Sequence, residues 1–137
     1  MPLQSTEIVV GNVAYFDHQL LIADQFIDCG DMEIDRPGPY VCVQTKGLNS
    51  VWCGITTAHR RERLFIEVGW RVDGSPGWQQ KSQFLHDGLA TFFGPNSSFI
   101  ACAAAERPFA PYTRPRISEA GIAAILAEID AQGGPLL

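Results

Sequence analysis

The sequence predicts an α+β domain, in which a mostly antiparallel meander sheet of about five to six strands carries two helices on one face. Segments rich in β-branched and aromatic residues follow one another with short turns as far as residue 72. Most of the later chain has helical signals instead. Because the helices need an apolar surface to pack on, we expect the sheet to bury one face. The other face is left to water, a ligand or a second subunit.

Residues 64–72 show the cleanest alternation in the chain, which is typical of a strand with one buried face. We therefore expect Trp70 in the core and Arg71 on the opposite face. Truncating Trp70 is then expected to cost far more stability than truncating Arg71. The predicted buried side consists of Ile66, Val68, Trp70 and Val72, and the other side of Phe65, Glu67, Gly69 and Arg71.

Four segments before residue 58 are typical of strands. The first two are joined in this prediction by a hairpin that turns at Asp17 and His18. At the end of the acidic stretch 28–35, the carboxylates at 31, 33 and 35 alternate with apolar residues at 32 and 34, which predicts a solvated edge strand. A cation site within residues 24–35 is the alternative, although the offsets of a calcium loop are absent. The four strand segments are 7–16, 20–23, 40–45 and 51–57.

Two segments after residue 72 are predicted to be helices. Ser75 is a helix cap followed by Pro76, and an apolar stripe of Leu85, Leu89 and Phe92 extends that helix to Gly94. Ser118 caps the last helix, which has apolar residues at i, i+3, i+4 and i+7 and ends at Gly133. Between the two helices we expect a central strand at 98–104 and an irregular, proline-rich segment at 106–117.

Composition limits the class of protein. The 137 residues are predicted to form a single domain, 1–137. There is no run of about 18 apolar residues, and residues 1–4 lack the charged start of a signal peptide, so we expect a cytoplasmic protein with no membrane contact. The four cysteines have no zinc or redox spacing, and three of them lie in apolar runs as core residues do. No metal or cofactor is predicted.

Charge is unevenly distributed along the chain. Residues 1–35 hold seven carboxylates and no Lys or Arg, whereas residues 60–71 and 107–116 hold seven of the eight arginines. A net charge of −5 disfavours binding to nucleic acid, which depends on neutralising phosphates. Segments of opposite charge are expected to be neighbours in the fold or across an oligomer interface.

The arginines and the aromatic residues near them suggest a binding site. If the two arginine-bearing segments meet, they form a cationic hollow able to hold a carboxylate or a phosphate. The alternative is that these arginines pair with the acidic amino-terminal segment and have a structural role. The candidate ligand-binding residues are His59, Arg71, Arg107, Tyr112, Arg114 and Arg116.

Three functions are consistent with these observations. The preferred one is binding of a small anionic or aromatic molecule near the proline-rich loop. The second is an inhibitor-like or immunity-like interaction module that uses the acidic amino-terminal strands. The third is a small enzyme in which His59 acts beside the arginines. We also expect a homo-oligomer, most simply a two-fold dimer that buries the exposed sheet face around Phe65.

Overall fold

An antiparallel sheet forms the centre of the fold. The computed structural model describes residues 3–29, 38–86, 91–103, 113–134 and 136. The main sheet has the order β1-β3-β4-β7-β2, with β6 also paired to β4, while β5 and β8 form a separate pair. The predicted α+β class and antiparallel sheet are confirmed. The strands are β1 Val13–Phe16, β2 Asp28–Cys29, β3 Gly38–Lys46, β4 Asn49–Thr56, β5 Arg71–Val72, β6 Phe84–Leu85, β7 Thr91–Pro95 and β8 Arg116–Ile117.

Four α-helices within the described residues cover the sheet. Two short 3₁₀ turns, Ser5–Glu7 and Val68–Trp70, accompany them. The helices are α1 His18–Ala23, α2 Pro76–Gln80, α3 Asn96–Cys102 and α4 Glu119–Ala131.

Both faces of the main sheet are buried. Successive residues of β3 belong to two different apolar clusters, because side chains alternate across a strand. The helices therefore lie on both faces, not on one face as the sequence suggested. One cluster receives Leu21 of α1 with Phe99 and Cys102 of α3, and the other receives Trp78 of α2 with Ile122, Ile125 and Ile129 of α4.

The strands predicted at 40–45 and 51–57 are confirmed by β3 and β4. A two-residue turn joins them, in which Gly47 has a φ of 59°, a value that glycine adopts without steric cost. The last predicted helix is also confirmed: the Ser118 side chain caps α4 by accepting from the backbone N–H of Gly121. Ser75 caps α2 in the same way.

Three other sequence assignments are wrong. Asp17 does not turn a hairpin; it caps α1 by accepting from the backbone N–H of Gln19. The helix predicted from Ser75 to Gly94 ends at Gln80, and its phenylalanines lie instead in β6 and β7, in keeping with the preference of aromatic residues for strands. The segment predicted as a central strand forms α3, because its alanines and small residues also suit a helix.

The alternating segment 64–72 is a strand only at its end. A 3₁₀ turn at Val68–Trp70 has about three residues per turn, so it breaks the two-residue period. Ile66 is buried as predicted, but Val68 is 59% exposed and Arg71 only 7% exposed. The predicted sides are therefore wrong at Val68 and Arg71, whereas Gly69 is exposed as predicted.

All four cysteines are free thiols. Cys42, Cys53 and Cys102 are buried, which confirms that they act as small core residues. Burial raises the pKa of Cys42 to about 12 and is the main cause that raises the pKa of Cys102 to about 11. Both thiols therefore stay protonated at neutral pH, which makes them poor nucleophiles.

Candidate functional site

Arg71 lies inside the protein and holds backbone segments together. Its guanidinium Nε and Nη2 donate to the carbonyl oxygen of Ile66 at 3.1 and 2.6 Å. Nη1 donates to the carbonyl oxygens of Trp78, Gln79 and Lys81 at 3.3, 3.1 and 2.6 Å. Burial lowers the pKa of Arg71 below its ordinary value. These contacts tie the end of α2 to the segment that precedes the 3₁₀ turn.

Arg114 and Arg116 both form ion pairs within the chain. Arg114 donates from Nε to the Glu7 carboxylate at 2.8 Å and from Nη1 to the carbonyl oxygen of Val13 at 3.0 Å. Arg116 pairs with Asp73 at 3.1 Å on the surface. The pair between Glu7 and Arg114 agrees with the alternative drawn from the sequence, in which an arginine of the loop meets the acidic amino-terminal segment.

The pair between Glu7 and Arg114 is expected to make stability depend on pH in acid. Burial raises the pKa of Glu7, but the hydrogen bonds from Arg114 and from the backbone N–H of Gln4 outweigh it, with the charge of Arg114 helping, and lower the pKa below 4.5. Since the folded-state pKa of Glu7 is depressed, the ion pair contributes fully to the free energy of unfolding above pH 4.5. This contribution is lost as pH falls through the folded-state pKa.

We therefore expect Glu7→Gln to lower the free energy of unfolding at pH 7, and to lower it less at about pH 3, because the contribution of the ion pair is lost as pH falls through the depressed pKa of Glu7. Urea unfolding of both proteins at the two pH values measures the difference. Glu67→Gln, at an exposed position, is the control. An equal loss at both pH values would contradict the prediction.

The predicted cationic hollow extends beyond the described residues. Arg107 and Tyr112 lie outside them, as do Asp31, Glu33 and Asp35 of the possible cation site. His59 is exposed, and its ring packs edge-on against Phe84 with centroids 5.3 Å apart. Among the six predicted binding residues, the structure thus places four, and three of those are arginines that bond to backbone carbonyls or carboxylates of the chain.

A pocket of about 270 Å³ lies elsewhere on the described surface. It forms where the connection after β4, the residue after β6 and the last turns of α4 converge. Glu128 lies in the last part of α4 and Gln132 is the capping residue at its carboxyl end, four positions later, so the two side chains lie on the same side of the helix end. The lining residues are Arg60, Glu62, Arg63, His86, Glu128 and Gln132.

Hydrogen bonds hold the walls of this pocket in place. Arg63 donates from Nε to the carbonyl oxygen of His86 at 2.8 Å and from Nη1 to that of Ala58 at 2.9 Å. The Gln132 amide donates to Oε1 of Glu128 at 2.6 Å. Side chains oriented in this way lose less conformational entropy when a ligand binds.

The sequence indicated only part of this pocket. The arginines at 60–63 indicate a cationic connection, but His86 falls in a predicted helix that the structure does not contain there, and no sequence pattern distinguishes Glu128 or Gln132 as binding residues. The four-residue spacing of Glu128 and Gln132 placed them on one face, yet nothing in the sequence showed that this face meets the arginine-bearing connection. Long-range packing brings the three segments together.

No protein-family model, no curated protein and no solved structure matches this sequence. No group of three or more His, Cys, Asp or Glu side chains in the described residues is arranged to hold a metal ion. Within the same residues, no helix has the length and apolar character needed to cross a membrane.

Proposed function

We propose that the protein binds a small anionic molecule in the pocket lined by Arg60, Arg63 and His86. The observation that carries this proposal is the convergence of these three nitrogen-bearing side chains from two separate segments on one cavity. A ligand of this charge agrees with the function preferred from the sequence. The proposed binding site, however, is at the connection after β4 and not at the proline-rich loop.

The size and chemistry of the pocket support a compact polar ligand. Its volume of about 270 Å³ is just below the range typical of sites for drug-sized molecules. Guanidinium groups form paired, charge-assisted hydrogen bonds with carboxylates and phosphates. The contacts of Arg63 with two backbone carbonyls support a fixed position for its guanidinium.

Titration of isotopically labelled protein with inorganic phosphate and with acetate tests the proposal by NMR. We expect saturable shifts of the signals from Arg60, Arg63 and Gln132, and Arg60→Gln is expected to weaken binding about tenfold. Arg61→Gln is the matched control, because Arg61 lies in the same connection but does not line the pocket. Equal weakening by both variants would mean that anion affinity depends only on the overall charge of the protein. Shifts that do not saturate would contradict a specific site.

A second candidate function is the interaction module. The acidic amino-terminal segment exposes Leu20, Ile22 and Phe26 near Asp24 and Asp28, and Phe26 is 64% exposed. Apolar groups beside carboxylates suit a partner with a basic, partly apolar surface. Native mass spectrometry of protein isolated from cells separates the two functions: a retained small molecule supports the pocket, and a retained basic protein supports this surface.

Three further expectations remain predictions. His59 as an enzymatic group is one, and a cytoplasmic location is another. The third is the two-fold dimer. Because both faces of the main sheet are buried within the chain, such a dimer would have to form through residues outside the sheet faces. Phe65 and Val68 stay 42% and 59% exposed, so they are the residues that a dimer would bury. Light scattering of wild type and of Phe65→Glu tests that dimer, and a wild-type mass of one chain would contradict it.

A further inference from the structure

The pocket has walls of different charge. The connection after β4 contributes Arg60 and Arg63 together with Glu62, and the carboxyl end of α4 contributes Glu128 and the neutral amide of the capping residue Gln132. A purely anionic ligand would meet the arginines favourably but would lie close to a carboxylate. The pocket therefore favours a ligand that presents a positive group to α4 as well as a negative group to the arginines.

The position of Glu128 on α4 strengthens the preference for a cation there. Glu128 lies near the carboxyl end of the helix, where the last carbonyl groups already give a partial negative charge. The last turn of α4 contains no basic residue that would balance this charge. The Gln132 amide holds Oε1 of the carboxylate at 2.6 Å, so its position is fixed by a neutral donor.

We propose that the ligand is a zwitterion of the amino acid class, with its carboxylate held by Arg60 and Arg63 and its ammonium group held by Glu128. This inference rests on the proposed function of the same pocket. It adds the second charge, which a simple anion lacks. An ammonium group has three hydrogen-bond donors, at least one of which can bond to a carboxylate oxygen of Glu128.

Three probes of similar size test the two charges separately. Glycine carries both charges, N-acetylglycine carries only the negative one, and glycinamide carries only the positive one. We expect glycine to bind about tenfold more tightly than N-acetylglycine, which lacks the charge-assisted hydrogen bond to Glu128. Glycine should also bind more tightly than glycinamide, which lacks the carboxylate that Arg60 and Arg63 would hold. NMR titration at constant ionic strength measures all three affinities. γ-Aminobutyrate, with a longer separation of charges, serves as a second zwitterion.

Removing the carboxylate of Glu128 should abolish the discrimination. Glu128→Gln keeps the shape of the side chain, so we expect it to bind glycine and N-acetylglycine within about twofold of each other. Asp130→Asn is the matched control: it removes one negative charge near the same helix end at an exposed position that does not line the pocket. This variant should keep the preference for glycine.

The outcomes separate this inference from the proposed function. Equal binding of glycine and N-acetylglycine by the wild type, at the mapped pocket, overturns the zwitterion and leaves the anion site standing. Binding of none of the probes, with Arg60 signals unmoved by phosphate, overturns both and indicates that the arginines and carboxylates pair only with each other. A preference for glycine that persists in Glu128→Gln overturns the role of Glu128.

Discussion

Replacing Arg71 with alanine is expected to destabilise the protein by about 3–5 kcal/mol. The substitution removes a buried cation that makes five hydrogen bonds to four backbone carbonyls, at Ile66, Trp78, Gln79 and Lys81. Without the guanidinium, these buried carbonyl groups would have neither water nor a charged donor as a hydrogen-bond partner, which is energetically unfavourable. The expected loss therefore exceeds that of an ordinary surface substitution by several fold.

Urea unfolding at neutral pH measures this effect. Arg61→Ala removes the same side chain at an exposed position and is expected to change stability by less than about 0.5 kcal/mol. Arg71→Lys keeps the charge but not the planar fork, so it should fall between wild type and Arg71→Ala. Equal midpoints for the two alanine variants would show that the carbonyls are satisfied by water when the guanidinium is absent.

Trp52→Ala is expected to cost about 3–5 kcal/mol as well, for a different reason. The indole is fully buried, and its ring centroid lies 4.9 Å from that of Phe16 and 5.8 Å from that of Phe99. Its Nε1–H donates to the hydroxyl of Ser50 at 2.9 Å, and Ser50 is also fully buried. Truncation would leave a cavity between the sheet and α3 together with a buried hydroxyl that has lost its donor.

Chemical unfolding of Trp52→Ala and Trp52→Phe separates the two contributions. The phenylalanine variant keeps most of the apolar contact but loses the bond to Ser50, so its loss of stability should be clearly smaller. Leu48→Ala, at a position that is 82% exposed, is the surface control. A loss for Trp52→Ala no larger than that of the control would contradict the burial of the indole.

The sequence predicted correctly those helices and strands whose hydrophobic pattern is long and keeps a single helical or strand period. α4 has a cap, an apolar stripe of several turns and a glycine end, and β3 and β4 are continuous apolar runs joined by a tight turn. Short elements were predicted poorly. In α1 and α3 a single turn or two carries too few residues to establish a period, and tertiary packing decides between helix and strand.

Arg71 shows why the candidate site was only partly predictable. Alternation placed it outside, because the rule assumes that the strand is regular through residues 68–70. The 3₁₀ turn there shifts the phase, and the guanidinium then finds carbonyl acceptors at the end of α2. The pocket depends on three segments that are distant in sequence. The sequence contains these charged residues, but it does not indicate that they lie close together in the fold.

The order of the strands also determines when the sheet can be completed during synthesis. β2 follows β1 closely along the chain, yet it lies at the opposite edge and pairs with β7, so that Asp28 is opposite Phe93. β1 pairs with β3, and β3 forms a local hairpin with β4, so both of these pairings are available before β7 has been made. A nascent chain that has not yet reached Thr91 therefore leaves β2 without its strand partner, and pairings across such long separations are typical of slow folding.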